Sequence, residues 1–198
     1  MKKILIAAAV GMLVAGSVAA QESPWLVRAR AVNLNMANEV TTSTLSSLGV
    51  AVNDKTIGEV DVSYFFNKNV AAELILTLPQ KQVVGPNGSI GSFKHLPPTL
   101  TLQYHFTDLK GYKPYVGAGI NYTKITGDSI SPYNLDSQSF GMAFQAGVDV
   151  PLTKQVSLNF DVKKVYIRSD VYVSSTGASA GTLKLDPVLV GVGVGYRF

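Results

Sequence analysis

The chain has 198 residues, 46% of them hydrophobic and 15% charged, with no cysteine and a formal net charge of +4. A soluble domain usually carries about 25% charged residues, and the absence of cysteine excludes a disulfide framework. Lys2 and Lys3 supply part of the basic excess; without them the count falls to about +2, too little to point to nucleic acid.

In chain order, Lys2 and Lys3 precede an apolar run from Ile4 to Val14 and the small residues Val18, Ala19 and Ala20. This is the make-up of a secretory signal peptide, and its apolar core is too short to span a bilayer. Cleavage is expected after Ala20, which leaves residues 21–198 as one domain. No later segment approaches about 18 consecutive apolar residues, so membrane insertion would require a closed β-barrel.

Eight period-two segments follow. The first runs from Trp25 to about Asn35, with Arg28 and Arg30 on one face and Val27, Ala29 and Ala31 on the other. The second spans about Lys55 to Phe66 and alternates Val60, Val62 and Tyr64 with Glu59, Asp61 and Ser63. Val70 to Leu78 is the third and about Lys94 to Phe106 the fourth. The fifth runs from Tyr112 to about Thr126 and the sixth from about Ser137 to Val150. The seventh starts at Val156 and extends to about Asp170. The last, within Leu185–Phe198, alternates Val188, Val190, Val192, Val194, Tyr196 and Phe198 with Leu189, Gly191, Gly193, Gly195 and Arg197.

The connections alternate in length. Short turns follow segments two, four and six, whereas Met36–Asp54, Gln80–Phe93, Gly127–Asp136 and Val171–Gly181 read as long loops. The apolar faces carry no charge at mid-segment, and the opposite faces are rich in Gly and Ala instead of being charged like a soluble surface. Aromatics gather at segment ends, as two interfacial girdles require. The pattern predicts an all-β, eight-stranded, antiparallel up-and-down transmembrane barrel, monomeric and closed by strands one and eight. Its place is the outer membrane of a Gram-negative cell, with both termini in the periplasm and outer-membrane lipid and lipopolysaccharide around it.

Eight strands leave a lumen just wide enough for side chains, which excludes a wide general porin. Parity sends Arg28, Arg30, Lys163 and Arg197 inward against Glu59, Asp61, Glu73, Asp149 and Asp161, a lumen cluster of paired charges. If strands one and eight are neighbours, Gly191, Gly193 and Gly195 make room for the arginine stems. Higher up, Val32, Leu34, Ile57, Ile75, Val165, Ile167, Leu185 and Leu189 also point inward and offer an apolar path. Pro97 and Pro98 cannot donate ladder hydrogen bonds and form a candidate lateral seam. His95 lies beside Ser92 at the rim without an acid set to orient it, so no catalytic set is read. His105 reads as a lumen hydrogen bonder. No metal-ligand spacing and no cofactor motif is found.

Six stretches carry a resemblance. They are Val70–Leu74 (VAAEL), His95–Leu100 (HLPPTL), Lys113–Tyr122 (KPYVGAGINY), Gln145–Asp149 (QAGVD), Leu158–Val162 (LNFDV) and the Gly193–Phe198 end (GVGYRF). In this order the chain resembles the OmpW family of small outer-membrane proteins. The resemblance implies an eight-stranded barrel and, in some members, passive uptake of small hydrophobic molecules; members are also described as phage or colicin receptors and as stress-responsive envelope proteins. It also makes Tyr196 and Phe198 an assembly signal for the barrel assembly machinery. Two functions stay open: a narrow conduit for small hydrophobic molecules with lateral exit to the membrane, or a structural or receptor barrel with a plugged lumen.

Overall fold

Period-two sequence becomes strand along most of the chain. The computed structural model describes residues 23–37, 39–40, 54–77, 80–84, 91–126 and 132–198. The leader expected over residues 1–20 lies outside them, as do 41–53, 85–90 and 127–131 of the long loops. Among the described residues the strands are β1 (Trp25–Asn35), β2 (Glu39–Val40), β3 (Lys55–Phe65), β4 (Val70–Thr77), β5 (Gln80–Val84), β6 (Gly91–Leu96) and β7 (Thr99–His105). They continue as β8 (Lys113–Thr126), β9 (Tyr133–Leu135), β10 (Gln138–Pro151), β11 (Val156–Val165), β12 (Arg168–Val173), β13 (Ser179–Lys184) and β14 (Val188–Arg197).

Eight of these are staves of one closed antiparallel barrel, in the order β1, β3, β4, β7, β8, β10, β11, β14. β14 pairs back onto β1 from Leu26↔Arg197 to Asn35↔Val188, which closes the wall. The first and last segments are therefore neighbours, and Arg28 stands opposite Gly195, Arg30 opposite Gly193 and Val32 opposite Gly191. The outward faces are apolar and exposed: Val60, Leu74, Leu102, Phe160, Val162 and Val190 keep 42–58% of their surface open. In an outer-membrane barrel that surface meets lipid. At the short-turn end Trp25, Tyr64 and Phe66 form edge-to-face neighbours with centroids 4.9 and 5.5 Å apart, and Tyr104–Phe106 and Tyr196–Phe198 do so at 5.1 Å.

Two segments read as continuous are interrupted, and the regions read as long loops contain strand. The fourth is split into β6 and β7 by Pro97 and Pro98. The seventh ends as a stave at Val165, and β12 leaves the wall after Tyr166 and Ile167. The eighth begins at Val188, where its alternation begins, and Asp186 just before it takes a φ of 29°. Beyond the membrane β12, β13, β2 and β9 form a separate four-stranded sheet in the order β2-β13-β12-β9, while β5 and β6 extend the hairpin above β4 and β7. The reason is length: β8 and β10, at 14 residues each, outrun the ~9–11 residues that a crossing needs, and backbone groups above the lipid still demand partners. Val171, Leu183 and Leu185 are buried at 1–4%, so the outer sheet packs an apolar face down onto the lumen.

Gly193 and Gly141 are among the glycines set by close approach. A Cβ on Gly193 would lie 2.1 Å from the Ala29 carbonyl oxygen and 2.7 Å from Arg30 Cγ. A Cβ on Gly141 would lie 1.9 Å from the Tyr166 carbonyl oxygen, where the chain leaves β11 and bends across β10. Gly58, by contrast, faces open space, and a Cβ there would meet nothing within 4 Å. Gly193→Ala should therefore destabilise the barrel by about 1–3 kcal/mol through overpacking, and Gly58→Ala should be neutral or slightly stabilising. Urea unfolding in lipid vesicles measures both; equal midpoints for the two variants would refute the close fit at the closing strand pair.

Candidate functional site

The lower lumen is built from alternate residues of the staves. β1 projects Arg28 and Arg30 inward, and antiparallel pairing with β3 puts Asp61 opposite Arg28 and Glu59 opposite Arg30. Arg28 reaches further. Its Nε and Nη2 donate to the two oxygens of Asp149 at 3.1 and 2.7 Å, a bidentate pair, and Nη1 donates to Asp61, Ser63 and Glu73 at 3.1–3.2 Å. Arg30 pairs with Glu59 at 2.9 Å, Asp61 at 2.8 Å and Glu73 at 3.2 Å, and its Nε donates to Asn159 at 2.6 Å. Lys163 bridges Glu59 at 2.6 Å and Asp161 at 2.8 Å.

Glu73 is the hub. Its Oε1 accepts from both arginines, while Oε2 accepts from Gln103 and Gln145 at 2.8 Å each and from Thr101 at 3.3 Å. Tyr115 donates its hydroxyl to Asp161 at 2.7 Å and stacks on His105, whose Nε2 meets Gln103 Oε1 at 2.8 Å. Glu73, Arg28, Gln103 and Tyr115 are 0–1% exposed, so this layer is a packed plug. Glu59 Oε2 is buried without a hydrogen-bond partner.

The charges singled out from parity thus meet in one network, with two differences. Arg197 is placed at the short-turn mouth, where Nε donates to the Ser23 carbonyl at 3.0 Å and the guanidinium lies 4.2 Å over the Phe65 ring. Tyr115, Asn159, Gln103 and Gln145 complete the network although they were not singled out. All four lie on inward faces at the level of the charges, and that combination was the available signal.

Above the plug the lining turns apolar. Val32, Leu34, Ile57, Ile75, Ile167 and Leu189 are all buried, at 0–7% exposure. Five of them, all but Val32, line a pocket with Thr77, Pro97, Val165 and Pro187, and Glu59 and Lys163 form its floor at the plug. Its free volume is only ≈ 20 Å³, about the room one water needs.

The wall beside this pocket is interrupted. β4 pairs with β7 up to Ile75↔Thr99, and among the described residues pairing resumes between β5 and β6 at Gln80↔His95. Between these points Pro97 and Pro98 bring no N–H, and no register pair joins residues 76–77 to 97–98. Thr77 Oγ1 is buried there without a hydrogen-bond partner. Pro98 remains tied to the other neighbour, its carbonyl accepting from Tyr122 N at 3.1 Å and Asn121 Nδ2 at 3.2 Å. Tyr196 lies on the last stave and Phe198 just beyond its end, at the short-turn rim, where Phe198 N donates to the Trp25 carbonyl. His95 belongs to β6.

Comparison with known proteins agrees with this architecture. The family model described as OmpW family matches residues 21–198. The "Uncharacterized outer-membrane protein y4mB" of Sinorhizobium fredii is 40% identical over 189 residues, covering 91% of this chain and 82% of that protein. "Outer membrane protein W" of Escherichia coli is 32% identical over 213 residues, covering all of both chains. The "Dibenzothiophene metabolism operon protein PahQ" of Pseudomonas aeruginosa is 25% identical over 193 residues and 90% of each chain. Among solved structures, the outer membrane protein OprG from Pseudomonas aeruginosa superposes with a TM-score of 0.71 at 22% identity, over 90% of this chain and 97% of that one.

Removing one partner of a buried pair leaves the others uncompensated, at about 3–5 kcal/mol. Arg28→Leu should therefore destabilise the barrel by about that amount in urea unfolding from vesicles. Asp149→Asn combined with Arg28→Leu should lose less than the sum of the single variants, with a coupling of about 1–3 kcal/mol. Additive losses would mean that the bidentate pair is not a coupled unit.

Proposed function

The chain belongs to the OmpW family of outer-membrane β-barrels, and on that premise we propose that it is a narrow passive conduit for small hydrophobic molecules that leave sideways into the membrane. The observation that carries this reading is the position of the apolar pocket: it lies directly above the charged plug and against the interrupted wall at Pro97. A hydrophobic solute gains nothing from the ion-paired layer below, where every polar group it displaced would lose a partner. The seam at Pro97 and Pro98 offers a route with fewer ladder hydrogen bonds to part. The name of PahQ, which ties that relative to dibenzothiophene metabolism, supports a small apolar solute as the permeant class.

Val32, Leu34, Ile57, Ile75, Ile167 and Leu189 then form the apolar path. Arg28, Arg30, Glu59, Asp61, Glu73, Asp161 and Lys163 are its floor, with Arg197 at the mouth beyond. Export under a leader ending at Ala20 and recognition of Tyr196 and Phe198 by the barrel assembly machinery belong to the same reading. The pocket's free volume is smaller than any organic solute, so passage requires the seam and the outer sheet to yield. The second reading, a structural or receptor barrel, is favoured by that closed volume.

The chain has no cysteine, so an engineered pair reports cleanly. Thr77→Cys with Pro97→Cys, oxidised, should bring uptake of N-phenyl-1-naphthylamine by proteoliposomes down to the protein-free rate, and reduction should restore it. Uptake by the unmodified protein no faster than by bare lipid would leave the structural or receptor reading standing.

A further inference from the structure

The pocket above the plug is not apolar throughout. Glu59, Thr77, Thr99, Asn121 and Lys163 also line it. Three of these are satisfied within the protein. The Thr99 hydroxyl donates to the Pro97 carbonyl at 3.2 Å and accepts from Asn121 Nδ2 at 2.7 Å. Asn121 Oδ1 accepts from the Thr123 hydroxyl at 2.7 Å. Lys163 Nζ is held by Glu59 Oε1 and Asp161 Oδ1 at 2.6 and 2.8 Å. The other two residues each keep one buried oxygen, Glu59 Oε2 and Thr77 Oγ1, without a hydrogen-bond partner among the described residues.

These two oxygens differ from unsatisfied acceptors within the plug. Asp61 Oδ2 and Asp161 Oδ1 also lack a hydrogen bond, but each has a cation 2.8 Å away, Arg30 and Lys163 respectively. Glu59 commits Oε1 to both Arg30, at 2.9 Å, and Lys163, which leaves Oε2 for the pocket that the residue floors. Its side chain is 1% exposed. Glu59 and Thr77 are directly opposite each other in the β3–β4 pair. Side chains so placed leave the wall side by side, with Cβ atoms roughly 4.5–5.5 Å apart. One small polar group between them can therefore meet both oxygens.

We propose that the pocket selects small apolar molecules that carry one neutral hydroxyl. The ligand O–H donates to Glu59 Oε2, and its oxygen accepts from the Thr77 hydroxyl. The hydrocarbon part lies against Leu34, Ile57, Val165, Ile167 and Leu189. A bare hydrocarbon would leave both oxygens unpaired, and a site built around a hydroxyl discriminates against the analogue that lacks one. A carboxylate head would meet Glu59. An ammonium head would stand beside the two cations on the same carboxylate, and charge is costly at this depth. The proposal rests on the pocket admitting an apolar solute, which needs the same yielding of the seam and outer sheet; it concerns what binds there and not where the solute goes next.

The test is methyl-detected NMR of the mature chain in phosphatidylcholine nanodiscs, titrated with phenol, toluene, anisole or benzylammonium at matched bilayer concentration. Toluene replaces the hydroxyl by a methyl group, and anisole keeps the oxygen without the proton. Phenol should shift the Ile57, Ile75 and Leu189 methyls saturably and bind about tenfold more tightly than the other three. Thr77→Val and Glu59→Gln should each lower the phenol-to-toluene ratio at least about threefold, and Thr77→Ser should retain it. Thr77 stands outside the ion-paired network, so its variants keep the test open if Glu59→Gln misfolds. No saturable shift with phenol, equal affinity for toluene, anisole or benzylammonium, or an unchanged ratio in folded Thr77→Val would overturn the proposal. Phenol-selective binding without protein-dependent uptake of phenol into vesicles would uphold the site and refute the conduit. Protein-dependent uptake with equal affinities for phenol and toluene would refute the site and leave the conduit standing.

Discussion

Two arginines on β1, 0% and 4% exposed, set the terms for the rest of the molecule. An uncompensated charge at that depth costs several kcal/mol, so the staves must deliver carboxylates to it. β3 supplies Glu59 and Asp61, β4 Glu73, β10 Asp149 and β11 Asp161, the last through Lys163 and Tyr115. A one-residue slip in any of these strands would turn its carboxylate towards lipid and an aliphatic side chain into the network. The charges therefore specify register as well as fill space. The closing pair adds the steric half of the same constraint, because β14 brings glycines to the positions where the arginine stems lie.

The plug divides the lumen by polarity. Below its upper edge the side chains are hydrogen-bonded into the network or packed on it; above, Ile57, Ile75, Ile167 and Leu189 face one another with little space between. Glu59 and Lys163 are the boundary and belong to both layers. The outer sheet closes the top by sending Val171, Leu183 and Leu185 into the same apolar cluster. Asp186 holds the two departures from the wall together: its carboxylate accepts from Ile167 N, while Leu185 N donates to the Ile167 carbonyl at 2.9 Å.

The staves were legible because their two faces differ so sharply. In β1, β3 and β14 parity alone sorts Arg28, Arg30, Glu59 and Asp61 from the lipid-facing valines, and strand count with loop alternation supplies closure. Height along the axis was harder to read. Arg197 shares the inward parity of Arg28 but sits at the mouth, because parity fixes a face and not a level. The outer sheet was hidden for another reason: β2, β9, β12 and β13 are short, and their pairing depends on partners distant in sequence. The break at Tyr166 and Ile167 carries no local Gly or Pro; it is permitted by Gly141 on the neighbouring stave and held by Asp186, 19 residues beyond Ile167. Pro97–Pro98 announced its break, since proline removes a donor wherever it stands, and Pro187 offers the same signal before β14.

The two halves of the lumen differ in how they can deform. Opening the plug means separating several ion pairs in a water-poor interior, each at several kcal/mol once a partner is removed. Opening the upper wall between β4 and β7 means parting contacts that include no register pair at residues 76–77 and 97–98. A backbone hydrogen bond is worth about 0.5–1.5 kcal/mol net in water and more against lipid, so a wall segment already lacking such bonds is the softer element. Just before β7, Pro98 stays anchored to β8 through its carbonyl, which accepts from Tyr122 N and Asn121 Nδ2, while no register pair joins it to β4. Beside the apolar pocket the barrel is thus stiff where its charges meet and softer where residues 76–77 face 97–98.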